Sequence, residues 1–283
     1  MAAQDAYHIR PITRSELDTA VAWAAAEGWN PGLHDADCFY QTDPAGFLMG
    51  FLAGKPIASI SAVKYGKTFG FIGFYIVKPE YRGQGYGFTL WQAALTELQG
   101  RNIGLDGVVD QQNNYRKSGF QLAHRNVRYA GISNSIDHKT SCVPLAEILS
   151  ASIIEYDRRF FPEERTRFTQ AWIDQAEHHA VGMIDQEKLV GYGVLRPCQQ
   201  GYKIGPLFAD GDAIAAEIFH TLAAQVPAGE TFYLDVPEPN TAAVALAQRN
   251  GMSYVFETAR MYTKTVPDLP LNKIFGITTF ELG

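Results

Sequence analysis

FYIVKPEYRGQGYGFTLWQAALTEL, Phe74 to Leu98, decides the fold. The apolar run Phe71 to Val77 reads as a strand, and Pro79 ends its pairing because proline has no N–H to donate. Arg82-Gly83-Gln84-Gly85-Tyr86-Gly87 follows, and beyond it Trp91, Ala94, Leu95 and Leu98 recur at the i, i+3, i+4, i+7 spacing of a helix. Trp91 reads as helix-face core. A strand that delivers a glycine-rich turn to a helix start builds an anion site. The first helical N–H groups lack intrahelical partners, the dipole adds partial positive charge, and glycine lets the backbone approach a phosphate closely.

Spacing removes two common phosphate motifs. Counted from Gly83, the last glycine of G-x-G-x-x-G would fall on Phe88, and counted from Gly85 on Leu90. Gly66-Lys67-Thr68 lacks the P-loop's earlier glycine, since Ser61 stands there. What remains is R-x-x-G-x-G after a strand ending in V-x-P. That pattern resembles the pyrophosphate motif of the GNAT superfamily, the acetyl-coenzyme A-dependent N-acyltransferases. The resemblance implies a pyrophosphate site at Arg82, Gly83, Gln84, Gly85, Tyr86, Gly87 and Phe88. It also implies that backbone N–H at Ile76 or Val77 receives the acetyl carbonyl.

Downstream, Tyr115, Lys117, Gly119 and Phe120 match the Y-x-K-x-G-F of many GNAT chains. By that match Tyr115 is the acid that protonates the departing thiolate. Val108 occupies the place of the asparagine usual before this helix, so the helix is expected to start late. Asn113 or Asn114 would then contact the pantetheine arm. No Cys or Ser sits in a nucleophile motif, which favours direct transfer without an acyl-enzyme.

Composition fits. The 283 residues, 46% hydrophobic and 12% aromatic, suffice for two cored domains. A net charge of −6 argues against a nucleic-acid binder. MAAQDAYHIR resembles no secretory signal, and no apolar run reaches the ~18 residues of a membrane span. Cys38, Cys142 and Cys198 are isolated and odd in number, which suits a reduced cytoplasmic protein. His178-His179 lack metal-ligand spacing, and no metal is expected.

The chain also repeats itself. Met49 to Ala58 and Val181 to Gly191 both read as strand, tight polar turn, strand. Leu105-Asp106 matches Leu234-Asp235. Gly119-Phe120 matches Gly251-Met252, and Arg128 matches Arg260, both at an offset of 132 residues. The expected architecture is α/β (α+β), tandem GNAT folds, each a mixed, mainly antiparallel sheet flanked by helices. A catalytic domain over 1–132 binds acetyl-CoA, and a degenerate GNAT-like domain covers 141–283. In the first, His8 to Pro11 is a strand, and Thr13 with Glu16 forms a capping box. Leu17, Ala20, Val21 and Ala24 make the buried stripe of that helix, Gly28 closes it, and Asn126 to Ala130 is the last strand. Ser133 to Thr140 reads as the linker. Pro162, Glu163 and Glu164 open a helix in the second unit, and Phe275 to Leu282 reads as a terminal strand.

The second copy reads as inactive. Ile204 to Asp212 replaces the arginine and glycine ladder, Asp210 and Asp212 would repel pyrophosphate, and Ala247 stands at the place of Tyr115. EGWNPG (Glu27 to Gly32), YDRRFFPEER and FGITTFELG extend the resemblance to a bacterial-type GNAT subgroup with a catalytic N-terminal and a GNAT-like C-terminal domain.

The implied acceptor is a primary amine of a small molecule or peptide. Glu27 and Asp106 are the leading candidates for the base, with Asp37 and His34 also near. Asp235 at the matching place in the inactive copy gives Asp106 an equal claim to a structural role. Trp29 and Asn30 would line an acceptor cleft between the domains. The alternative is a non-catalytic acyl-CoA-binding regulatory module, against which the retained Tyr115 argues. Neither reading fixes an oligomeric state.

Overall fold

A computed structural model describes residues 7–134 and 139–283; residues 135–138 of the expected linker lie outside the described residues. The first half reads β1 (His8–Pro11), α1 (Arg14–Ala26), α2 (Asp35–Thr42), β2 (Phe47–Leu52), β3 (Lys55–Tyr65), β4 (Phe69–Val77), α3 (Tyr86–Glu97), β5 (Asn102–Val108), α4 (Gln112–Lys117) and β6 (Gln121–Ile132). The second reads β7 (Val143–Pro144), α5 (Ser150–Asp157), α6 (Thr166–Ile173), β8 (His179–Asp185), β9 (Lys188–Pro197), β10 (Tyr202–Ala209), α7 (Asp212–Ala223), β11 (Thr231–Pro237), α8 (Thr241–Arg249), β12 (Ser253–Tyr262) and β13 (Ile274–Gly276).

Local chemistry explains the matching halves. The Thr13 side chain caps α1, and Glu16 reaches back to the Thr13 N–H, so both partners of the box are present. The hairpins β2–β3 and β8–β9 turn through Ala53-Gly54 and Gln186-Glu187, all four residues at positive φ, which matches the strand twist. As expected, α4 starts late, after a 3-10 turn at Val109–Gln111.

All strands join one sheet, in the order β1-β2-β3-β4-β5-β12-β6-β11-β10-β9-β8-β7, with β13 on β10. Among the described residues only β4–β5 and β10–β11 are parallel. The two halves exchange a strand: β12 pairs with β5, while β6 pairs with β11, and the exchanged strands pair with each other. Side chains alternate along them. Ala259 and Met261 of β12 join the core under α3, and Val127 and Tyr129 of β6 join the core under α7 and α8. On the opposite face one core unites α1, α2, α5 and α6.

The alternate positions carry charge. Arg260 of β12 donates to both oxygens of Asp106 on β5, at 3.0 and 2.6 Å. Arg128 of β6 donates to both oxygens of Asp235 on β11, at 2.7 Å each. Each aspartate therefore holds the strand received from the other half, which accounts for the recurrence of both residue types in the sequence. Removing one partner of such a buried pair costs about 3–5 kcal/mol.

Two expectations fail. The helix expected at Pro162 begins at Thr166, because Glu163 turns away to accept from the Thr68 N–H (3.0 Å) and hydroxyl (2.5 Å) in the β3–β4 turn. The terminal strand is only Ile274–Gly276. Residues 277–283 form a buried turned segment, fastened by Tyr65 to the Leu282 carbonyl (3.0 Å) and by Arg165 to the Gly283 carbonyl (3.0 Å).

Candidate active site

Strands β4 and β5 pair only over Phe69–Ile72 and Asn102–Leu105 and then part. A β-bulge starts the divergence: the β3–β4 register shifts between Ser59 and Ser61, and Phe74 takes φ +48. A phenylalanine there is strained unless its surroundings hold it. The buried hydroxyls of β3 do so, Ser61 accepting from the Gly73 N–H and Ser59 donating to the Phe74 carbonyl, both at 2.9 Å. The gap opens into a cavity of about 580 Å³.

The glycine turn borders this cavity. Gly83 and Gly85 sit at φ +74 and +89, left-handed backbone that places the start of α3 beside the strand. Ile76, Val77, Arg82, Gly83, Gly85, Gly87 and Phe88 line the cavity, as does Tyr115. Tyr115 is 8% exposed and packs on Gly107 and on Trp91, whose ring centroid is 5.5 Å away. Burial, with a smaller push from Tyr75, raises its pKa well above the ordinary tyrosine value, so it remains a proton donor. Trp91 is both core and lining, and its indole N–H donates to Ser118 at 3.0 Å.

Other expected residues lie elsewhere. Gln84 donates to the Glu80 carbonyl (2.9 Å) and Tyr86 packs on Tyr7 (4.9 Å); neither lines the cavity. Asn113 and Asn114 also stand outside it, bound to Arg116 (3.3 Å) and Gln111 (2.8 Å), and Gln111 takes the lining position instead. Trp29 lines the cavity, but Asn30 points into the second half, making two hydrogen bonds of 2.9 Å with the Gln200 backbone. Its φ of +54 turns the two side chains apart. His34 pairs with Glu177 (3.1 Å) and Asp37 with Arg14 (2.6 Å), both away from the cavity.

Both leading base candidates line the cavity, and each is held by a guanidinium. Glu27 pairs with Arg82, which also donates to the Val77 carbonyl at 2.8 Å. Asp106 accepts from Arg260, from Asn126 at 2.8 Å and from Thr258 at 3.4 Å. The second half contributes lining that the sequence reading missed, Phe256 and Thr258 from β12 and Phe280 and Glu281 from the terminal segment. Close approach fixes that segment: a Cβ on Gly73 would lie 2.0 Å from the Glu281 carbonyl oxygen. Read as a terminal strand over Phe275 to Leu282, FGITTFELG carried no periodic signal that would bring it back to the first half.

In the second half the corresponding gap is filled. β10 and β11 pair only over Tyr202–Ile204 and Phe232–Leu234, after which β13 adds to β10 at Leu207 and Phe208. Asp210 is engaged by Arg159 (2.6 Å) and Lys273 (3.1 Å), so a plug of chain accounts for the difference between the halves better than charge repulsion does.

Family comparisons agree with this geometry. The family described as "Acetyltransferase (GNAT) family" matches residues 12–120, and the "Acetyltransferase (GNAT) domain" family matches 153–276. The chain belongs to the GNAT superfamily. A relative, the "Holothin acyltransferase" of Pseudoalteromonas sp. (strain SANK 73390), is 30% identical over 97% of this chain and 94% of its own. The crystal structure of a candidate acetyltransferase from Pyrococcus horikoshii superposes with TM-score 0.84 at 23% identity, covering 100% of this chain and 98% of that one. A tandem GNAT protein from the clavulanic acid biosynthesis pathway gives 0.62 at 12% identity, covering 92% and 100%. As a GNAT acyltransferase the chain uses acyl-CoA as cosubstrate. Among the described residues no cluster of His, Cys, Asp or Glu could hold a metal, and no helix is long and apolar enough to cross a membrane.

Proposed function

We propose that the protein is an acetyl-CoA-dependent N-acetyltransferase that acts on a primary amine of a small molecule, with one catalytic site, in the first half. The observation that carries this reading is the cavity between β4 and β5, which joins the glycine turn to Tyr115. Pyrophosphate would lie on the N–H groups at Gly83 to Gly87, and the pantetheine arm would enter the parted strands. Backbone N–H at Ile76 or Val77 would receive the charge that builds on the acyl oxygen. The neutral amine attacks the carbonyl carbon, the C–S bond breaks, the Tyr115 hydroxyl gives its proton to sulfur, and the proton shed by the attacking nitrogen passes through water to restore the tyrosine. By reference values of ~10 and ~8.5 that transfer is uphill by ~2 kcal/mol. Burial widens this gap for Tyr115, and desolvation of the thiolate in the same cavity offsets it.

Asp106 spends both oxygens on donors from Arg260, Asn126 and Thr258, and Glu27 gives Oε1 to Arg82. We assign Glu27 to holding Arg82 beside the glycine turn and Asp106 to anchoring β12. The Pseudoalteromonas relative is named for acyl transfer to holothin, and that kinship favours a small-molecule acceptor over a peptide. All three cysteines are free, which suits a reducing compartment, and we place the protein in the cytoplasm.

The test is direct. Titration calorimetry should give one acetyl-CoA per chain, and amine-dependent release of free thiol should follow with acetyl-CoA ahead of longer acyl-CoA esters. Binding without thiol release, across a broad amine panel, would turn the reading to a non-catalytic acyl-CoA-binding module.

A further inference from the structure

We propose that Tyr75 is a further coenzyme-binding residue, its hydroxyl donating to the pyrophosphate at the start of α3; the inference rests on the acyltransferase reading above. Tyr75 stands on β4 just past the bulge at Phe74 and lines the cavity. Its ring packs on Trp91, with centroids 5.3 Å apart. The hydroxyl reaches Gly87, one turn nearer the start of α3 than Trp91. A Cβ on Gly87 would lie 2.8 Å from the Tyr75 hydroxyl oxygen and 2.8 Å from a methyl carbon of Val77. Gly87 is not among the glycines at positive φ, so it is this close approach that glycine serves there.

The hydroxyl has no partner in the protein. Other tyrosines packed on the sheet use theirs: Tyr7 donates to the Tyr86 carbonyl (3.2 Å), Tyr65 to that of Leu282 (3.0 Å) and Tyr156 to that of Val190 (2.8 Å). Among the described residues the Tyr75 hydroxyl makes no hydrogen bond, and it is not one of the sealed polar atoms, since the side chain is half-buried and faces the cavity. Burial raises its pKa above the ordinary tyrosine value, so it stays protonated and can donate to an anion.

A second set of donors points to the same place. No side chain caps α3, which leaves its first N–H groups to a ligand. Arg82 is engaged by Glu27 and by the Val77 carbonyl at 2.8 Å, so neutral donors remain to hold the phosphates. Tyr115 also packs on Trp91, but from the side of β5, where Gly107 admits its ring. The two tyrosines thus serve opposite ends of the coenzyme arm, Tyr115 the sulfur and Tyr75 the phosphate.

The experiment is calorimetry of the full chain with coenzyme A and with pantetheine, which ends before the phosphates and is measured by its displacement of coenzyme A. A hydrogen bond to a charged group is worth about tenfold or more in affinity. Tyr75→Phe keeps the ring and should raise the coenzyme A Kd about tenfold, with the pantetheine Kd within twofold of wild type. A rise below threefold for coenzyme A would overturn the proposal. So would an equal loss for pantetheine, which would move the contact to the arm. Should Tyr75→Phe fail to fold, Tyr75→Leu is read by the same two affinities. Failure of the acyltransferase reading would show separately, as absent coenzyme A binding or absent thiol release in the wild-type protein.

Discussion

A methyl group added at Gly107 tests Tyr115 without touching its chemistry. A Cβ there would stand 2.2 Å from Cε2 and 2.8 Å from Cδ2 of the Tyr115 ring. An ordinary contact needs at least about 3.4 Å, so the ring must retreat by roughly 1 Å, against Trp91 behind it. Overpacking of that kind costs about 1–3 kcal/mol of stability. A 1 Å displacement of a catalytic group costs about 10²-fold in rate. Gly107→Ala should therefore lower kcat by about 10²-fold while coenzyme affinity, set at the glycine turn, stays within a few-fold. Tyr115→Phe keeps the ring packing and removes only the hydroxyl, so it should lower kcat by at least ~10²-fold with a stability change below ~1 kcal/mol. Both changes act on one proton transfer, so the double variant should be about as slow as Tyr115→Phe alone. Thiol release at saturating acceptor gives kcat, and calorimetry gives the coenzyme Kd. A Tyr115→Phe enzyme with undiminished kcat, or a double variant whose losses multiply, would refute the acid assignment. Since burial holds Tyr115 above its ordinary pKa, it should cause no loss of rate below pH ~10.

Gly85→Glu combines a strained φ of +89 with a carboxylate at the pyrophosphate site and should abolish acetyl-CoA binding; two equivalent sites in the wild-type chain would sink the single-site view. Asp106→Asn and Asp235→Asn should each lower stability by about 3–5 kcal/mol in urea titrations, since each breaks a buried pair. If Asp106 were also the base, its variant would lose kcat in addition to stability, with no such loss of kcat for Asp235→Asn. Burial first, and Arg260 second, hold His124 down to about 4, so the folded protein keeps it neutral. Its contribution is complete above pH ~6.5, where the unfolded histidine is also neutral, and is lost as pH falls to about 4, by roughly 3 kcal/mol. His124→Phe should flatten the acid limb of the urea midpoint, and an unaltered limb would assign the loss to other groups.

The glycine-turn side of the cavity was legible because its sequence signals are local. Arg82 to Gly87 and the strand before it are contiguous, and glycine spacing, proline position and helical period all bear on the same few residues. The opposite lining was not, because it comes from β12 and a terminal segment far along the chain. Nothing in Thr278-Thr279-Phe280-Glu281 distinguishes a strand on the second sheet edge from a segment returned to β4. Asn30 shows the same limit on a smaller scale. Its neighbour Trp29 lines the cavity, and only a positive φ, which sequence spacing does not reveal, sends Asn30 to Gln200. The repeat was visible, but the exchange of β6 and β12 was not, since a strand pattern carries no record of which neighbour it pairs with.

That exchange explains why a half with its cleft plugged by β13 is retained. β5 forms one wall of the cavity, and its outer edge is paired with β12 over Gly104 to Val108. Without the second half this wall would be an open edge, Asp106 would lose Arg260, and Phe256, Thr258, Phe280 and Glu281 would be missing from the lining. Conversely, β11 depends on β6 over Thr231 to Pro237, and Asp235 depends on Arg128. Each half thus completes the sheet of the other, while the parted strands remain open on one side only. A chain ending near Thr140 would lack β12 and expose the β5 edge, so it should appear insoluble or aggregated, not as a soluble monomer with acetyl-CoA affinity. Adding residues 141–283 as a separate polypeptide during refolding should restore both solubility and one coenzyme site. A soluble, coenzyme-binding 1–140 fragment would show that the exchanged strand is dispensable and that the second half serves the acceptor alone.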